Sequence, residues 1–113
     1  MILQTLKYIG AAGTIITGLV SVFWPTKVLG FTGLDVAGGR GITEIRTILG
    51  AVFIGIGVAV LYFNQKETYQ VLGITYLVMG AVRVISMITD KSVEPSNIIS
   101  AVFELGFGVI FML

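Results

Sequence analysis

Four apolar stretches, each close to the length a helix needs to cross a bilayer, constrain this chain more than any other feature. They run approximately from Leu3 to Trp24, Ile45 to Phe63, Val71 to Ile88 and Ile98 to Leu113. About 20 residues rising 1.5 Å each cover the roughly 30 Å of hydrocarbon. A soluble helical bundle would need a charged outer face on every helix, and none of the four has one. Composition agrees: 12% of residues are charged and 56% hydrophobic, with a mean hydropathy of +1.01, whereas about a quarter of a soluble domain is charged. The expected fold is all-α, an integral membrane four-helix transmembrane bundle, one domain over residues 1–113 with both termini on the same side. Met1 to Trp24 reads as a retained helix rather than a secretory signal. Lys7 lies inside the apolar segment, and Phe23-Trp24-Pro25 closes it where a signal would carry small residues.

Composition also removes whole classes of function. The 113 residues include no Cys and no His, so disulfides, thiolate nucleophiles, iron–sulfur clusters and the usual ligands of haem, zinc and copper are missing. No cofactor and no metal are expected. A net charge of +1 without any basic run argues against nucleic acid as a partner.

The connections give the bundle a polar and a bare side. Asn64 to Gln70 reads as a tight hairpin on the side of the termini. Pro25 to Thr43, rich in glycine and carrying Lys27, Asp35 and Arg40, lies on the other side, as does Thr89 to Ser96 with Asp90, Lys91, Glu94 and Pro95. Lys27, Arg40 and Lys91 on this polar side, against Lys7 and Lys66 on the other, orient the polar loops toward the cytoplasm by the positive-inside rule.

Four charges fall inside or at the mouth of the apolar stretches: Glu44, Arg46, Arg83 and Glu104. Such residues are costly at that depth and usually face the bundle interior with a partner. Counting from the helix ends puts Arg83 and Glu104 at matching depth on consecutive antiparallel helices, roughly 8–12 Å below the polar side. Glu44 and Arg46 open the second helix from that side, so two positive and two negative charges are expected to converge on one half of the bundle. Helical spacing supports inward orientation. Gly73, Tyr76, Gly80, Arg83 and Asp90 share one face of the third helix, and Asn97, Ala101, Glu104, Gly108 and Phe111 share one face of the fourth. Thr47, Ala51, Gly55 and Ala59 on the second helix, and Gly10, Thr14, Thr17 and Ser21 on the first, read as further packing seams.

Two readings of the quartet stand side by side. In one, Arg83 and Glu104 are a neutralising pair that sets helix register, with Glu44 and Arg46 completing the network. In the other, they floor a vestibule that holds a polar or anionic headgroup, gripped by arginine. Tyr76 then lines an apolar tail pocket, or is simply a packed aromatic. Gly38-Gly39-Arg40-Gly41 lacks a full nucleotide fingerprint and reads as a turn, with Thr43 as N-cap of the second helix and Glu44 favoured in its first turn.

Gly41-Ile42-Thr43-Glu44-Ile45-Arg46 opening the second helix, Arg83 late in the third with Asp90 beyond it, and Glu104 in the fourth resemble a group of small bacterial four-helix membrane proteins. These are classed as a domain of unknown function and look distantly like the DoxX-type bundles. The resemblance covers nearly the whole chain; it implies a fold and the charged positions Glu44, Arg46, Arg83 and Glu104, and no reaction. A bacterial inner membrane is the expected setting.

Three functions remain open on these residues. The chain binds a membrane lipid or another amphipathic or anionic ligand at Arg83, Glu104, Arg46, Glu44 and Tyr76. Alternatively it is a structural or accessory subunit, in a homo-oligomer or larger membrane complex, and the charges are internal ion pairs. Or it is a small transporter in which Glu104 exchanges a proton. An enzyme is the least supported, since no nucleophile–base pair can be assigned.

Overall fold

A computed structural model describes residues Met1–Leu113, and every regular element in it is helical. Helix α1 runs Ile2–Phe23, the short α2 Pro25–Thr32, α3 Gly39–Phe63, α4 Lys66–Thr89 and α5 Pro95–Met112. All but α2 are long and apolar enough to cross a membrane, so the chain is a multi-pass membrane protein whose even number of spans returns it to the side on which it began.

The helices reach beyond the apolar runs that mark them. Helix α3 starts at Gly39 rather than Ile45, α4 at Lys66 rather than Val71, and α5 at Pro95 rather than Ile98. Apolarity records the part of a helix that lies in hydrocarbon, whereas helical hydrogen bonding continues into the polar boundary until a cap ends it. Thr43, expected as an N-cap, is accordingly inside α3 with its hydroxyl on the Gly39 carbonyl at 3.1 Å. The N-cap position is Gly38. The connection expected as a glycine-rich loop holds α2, which Pro25 can open because proline needs no hydrogen-bond partner at a first helical position.

Gly38 adopts φ 111° and ψ −165°, a region open essentially to glycine alone. Gly38→Ala should therefore cost about 1–3 kcal/mol, read as a lowered thermal midpoint in detergent. Gly39→Ala, at a helical residue with nothing within 4 Å of an added Cβ, should leave that midpoint unchanged or raised.

The chain divides into two compact units, Tyr8–Tyr62 and Met1–Lys7 with Phe63–Leu113. In the first, α1 packs on α3 through glycines. A Cβ on Gly18 would lie 2.6 Å from the Gly50 carbonyl oxygen, and one on Gly57 3.1 Å from that of Ala11. These backbones touch because no side chain separates them. On α1 the expected seam is largely present, with Gly10, Thr14 and Ser21 buried and Thr17 exposed, but on α3 it is not: Thr47, Ala51, Gly55 and Ala59 are all exposed, while Gly50 and Gly57 are buried, as is Gly18 on α1. Residues Ile45–Ala51 form a π-helical segment, where the Thr47 hydroxyl sits on the Thr43 carbonyl at 2.9 Å. Beyond it Val52–Phe63 is regular α-helix, and Gly57 rather than Gly55 or Ala59 is the small residue it turns toward α1.

In the second unit, α4 and α5 form an antiparallel hairpin. A capping box between Gln65 and Thr68 starts α4. Its end is a left-handed turn at Lys91, φ 51°, closed by the Ser92 N–H donating to the Met87 carbonyl at 3.0 Å. Gly73 and Gly108 bring the two backbones together, a Cβ on Gly73 meeting the Gly108 carbonyl oxygen at 3.0 Å. Phe111 stacks on Tyr69, with ring centroids 6.3 Å apart. Lys7, only 6% exposed, holds its ammonium 5.6 Å from the centre of the Tyr69 ring. A charge at that position is stabilised by the ring face.

Candidate functional site

The face that carries Gly73, Gly80 and Arg83 on α4 meets the face that carries Ala101, Glu104 and Gly108 on α5. A Cβ on Gly80 would lie 2.6 Å from Leu105 and 3.5 Å from the Glu104 Cβ, so glycine there lets α5 approach closely where the carboxylate enters. Arg83 then grips Glu104 with two bonds: its Nε donates to Oε1 at 2.6 Å and its Nη2 to Oε2 at 2.8 Å. Parallel bonds of this kind fix orientation as well as supplying energy. Burial is unequal, since the Glu104 side chain is 10% exposed and that of Arg83 32%. The carboxylate is the sheltered partner, and the guanidinium faces outward.

Asn97 extends the pair toward the turn. Arg83 Nη1 donates to its Oδ1 at 2.9 Å, and Asn97 Nδ2 donates to the Ser92 carbonyl and hydroxyl at 2.9 and 3.3 Å. Asn97 thereby ties the ion pair to the connection between the helices. Its place seven residues before Glu104, on the same face, was visible in the sequence, but an asparagine on a mixed stripe gives no sign of which polar group it will meet.

Of the five N–H donors on a guanidinium, Glu104 and Asn97 take three. The outer side of Arg83 borders an open depression of about 450 Å³, lined by Val78, Met79, Val82, Arg83, Ser86 and Asn97. The lining is graded along α4. Val78, Met79 and Val82 form the apolar end, and Arg83, Ser86 and Asn97 the polar end nearer the turn. Val78 to Ser86 spans about 12 Å along the axis, and Val78 and Val82 are more than half exposed. Ser86 and Met79 carried no motif; what unites them with Arg83 is the curvature of the surface, which no spacing encodes.

Glu44 and Arg46 have partners in their own unit. Glu44 pairs with Arg40 one turn earlier on α3, an exposed i,i+4 contact, and Arg46 donates from Nη1 to the Val22 carbonyl of α1 at 2.8 Å. That carbonyl belongs to the last turn of α1, where the backbone acceptors have no partner within the helix. Tyr76 lies half-buried beside Phe111, ring centroids 5.5 Å apart, in a row that continues through Phe107 to Phe103. Asp90 is exposed at the end of α4, accepting at 3.4 Å from the Thr89 hydroxyl. No group of His, Cys, Asp and Glu side chains is arranged to hold a metal ion.

A family model, DUF4345, a domain of unknown function, matches residues 2–113 of the chain. No curated protein and no solved structure shows a significant match.

Proposed function

The chain belongs to the DUF4345 family, and we propose that it binds an amphipathic membrane ligand whose anionic or polar head meets Arg83. One observation supports this reading: a guanidinium fixed by Glu104 and Asn97, which take three of its five N–H donors, borders a depression whose far end is apolar. A head with acceptor oxygens suits the donors of Arg83 and the hydroxyl of Ser86, and a hydrocarbon tail suits Val82, Val78 and Met79. Glu104 serves by holding the guanidinium in position rather than by touching the ligand. The proposal is confined to this unit, with Glu44 and Arg46 acting locally through Arg40 and Val22. The distant likeness to DoxX-type bundles and a bacterial inner-membrane setting belong to the same reading.

Filling the depression without disturbing the ion pair tests it. Ser86→Leu places a larger apolar side chain between the polar and apolar ends. Native mass spectrometry of the detergent-purified protein should show a co-purifying amphipathic species reduced about tenfold or more in this variant, the loss of one charge-assisted contact being worth about 1.5–3 kcal/mol. Equal occupancy in the two proteins would remove the depression from the function.

A second reading, the pair as a register lock within a larger assembly, draws support from the completeness of the pairing. Both Glu104 oxygens are engaged, and no buried side-chain nitrogen or oxygen lacks a partner. The same engagement disfavours the transporter reading, because Glu104 would have to release Arg83 before exchanging a proton.

A further inference from the structure

We infer that Trp24 and helix α2 form a lipid-contact element, seated in the headgroup region of the bilayer, with Lys27 reaching a lipid phosphate. This inference rests on residues separate from those around Arg83. Helix α1 has 22 residues, about 33 Å of helix, enough to cross the hydrocarbon. A single residue, Trp24, separates it from α2: the Trp24 N–H still donates to the Val20 carbonyl at 2.8 Å, and its own carbonyl accepts from Lys27 N–H at 3.0 Å. The chain therefore turns immediately on leaving the span. Eight residues, about 12 Å, cannot cross again before Gly33, at φ 77°, ends the helix. Whatever lies between α1 and α3 must stay at the boundary that α1 has just reached.

The side chains suit that boundary rather than water. Pro25 is buried and anchors the start of α2, while Phe23, Trp24, Phe31 and Leu34 are each half or more exposed. Trp and Phe beside a basic residue are the pattern of segments that lie in the interfacial layer, the rings among glycerol and upper acyl groups and the cation outside them. Lys27 is exposed, forms no ion pair, and sits four residues before Phe31, on the same side of the helix. Its stem can follow the ring while the ammonium extends to phosphate. The nearby acid Asp35 is turned onto its own backbone, accepting from the Val36 N–H at 2.8 Å. The occupant is therefore the phospholipid surface, not a protein groove.

Trp24 is the chain's only tryptophan, so its fluorescence reports this element alone. The protein is reconstituted into phosphatidylcholine vesicles containing lipids brominated either high or mid-way along the acyl chain, and aqueous iodide serves as a water-side quencher. The high-brominated lipid is expected to quench about twofold more than the mid-chain one, with iodide the weakest of the three. In Lys27→Glu/Phe31→Ser, quenching by the high-brominated lipid should fall to about half and iodide quenching should rise. Strong iodide quenching in the unmodified protein would place the element in water, and quenching by neither agent would mean that a second copy or another protein covers it. Greatest quenching by the mid-chain label would put it in the hydrocarbon. Each of these results, or a variant indistinguishable from the parent, overturns the inference.

Discussion

Replacing Arg83 by alanine is expected to lower folding stability by about 3–5 kcal/mol, one of the largest effects open to a single substitution here. The reason is Glu104 rather than the lost arginine. Its carboxylate is buried between α4 and α5 and accepts both of its short side-chain bonds from Arg83, so truncation leaves a sheltered charge without a counterion in apolar surroundings. Removing both charges together should undo most of that loss. The Arg83→Met/Glu104→Met variant is expected to return to within about 1 kcal/mol of the parent or to exceed it, because apolar residues of similar volume often match a buried ion pair. Asn97 keeps its bonds to Ser92 in that variant. Unfolding in mixed micelles would decide: a single variant as stable as the parent would mean that Glu104 is not the sheltered group the geometry describes.

A single methyl group at Gly18 is the second large effect. Its Cβ would lie 2.6 Å from the Gly50 carbonyl oxygen and 2.8 Å from the Ile54 nitrogen, both backbone atoms of a continuous helix that cannot turn aside as a side-chain tip can. Helices α1 and α3 would have to separate, losing contacts along the whole seam, and Gly18→Ala is expected to cost about 2–3 kcal/mol. Gly13→Ala, on the same helix with nothing within 4 Å, should instead gain about 0.5–1 kcal/mol from helix propensity. Comparing the two variants by thermal unfolding in one detergent isolates packing from propensity. Similar midpoints would show that α1 and α3 do not meet at Gly18.

The membrane character of the chain was legible because the bilayer imposes a length, and four runs of that length leave little choice. The Arg83–Glu104 pairing was legible for a related reason: α4 and α5 are regular helices joined by a short turn, so spacing and depth translate directly into contact. On α3 the same arithmetic failed. The four-residue series Thr47, Ala51, Gly55 and Ala59 marked the wrong face of α3, where the buried glycines are Gly50 and Gly57, seven residues apart; small residues recur on more than one face, and spacing alone does not say which face is covered. Helix α2 was hidden because it is too short to show a period and is bounded by proline and glycine, the residues that usually mean a turn. Glu44 and Arg46 read as one cluster with Arg83 and Glu104; the partners seen for them are local, the Arg40 guanidinium for Glu44 and the Val22 carbonyl for Arg46, and spacing of charges along the sequence singles out neither. The depression beside Arg83 depends on how Val78, Met79, Val82 and Ser86 border Asn97 across the hairpin, a property of surface form that no residue type announces.

Native mass spectrometry of the unmodified protein beside the Arg83→Met/Glu104→Met variant, with folding of both verified by unfolding in the same detergent, tests ligand binding at Arg83. The two-site variant removes the anion-binding guanidinium without leaving a stranded charge, so it separates binding from stability. The expected result is a bound amphipathic species on the unmodified protein and its loss from a variant that remains folded. A folded variant that carries the same species at the same occupancy, or an unmodified protein that carries none from any lipid mixture offered, would contradict ligand binding at Arg83 and leave the pair as a register lock.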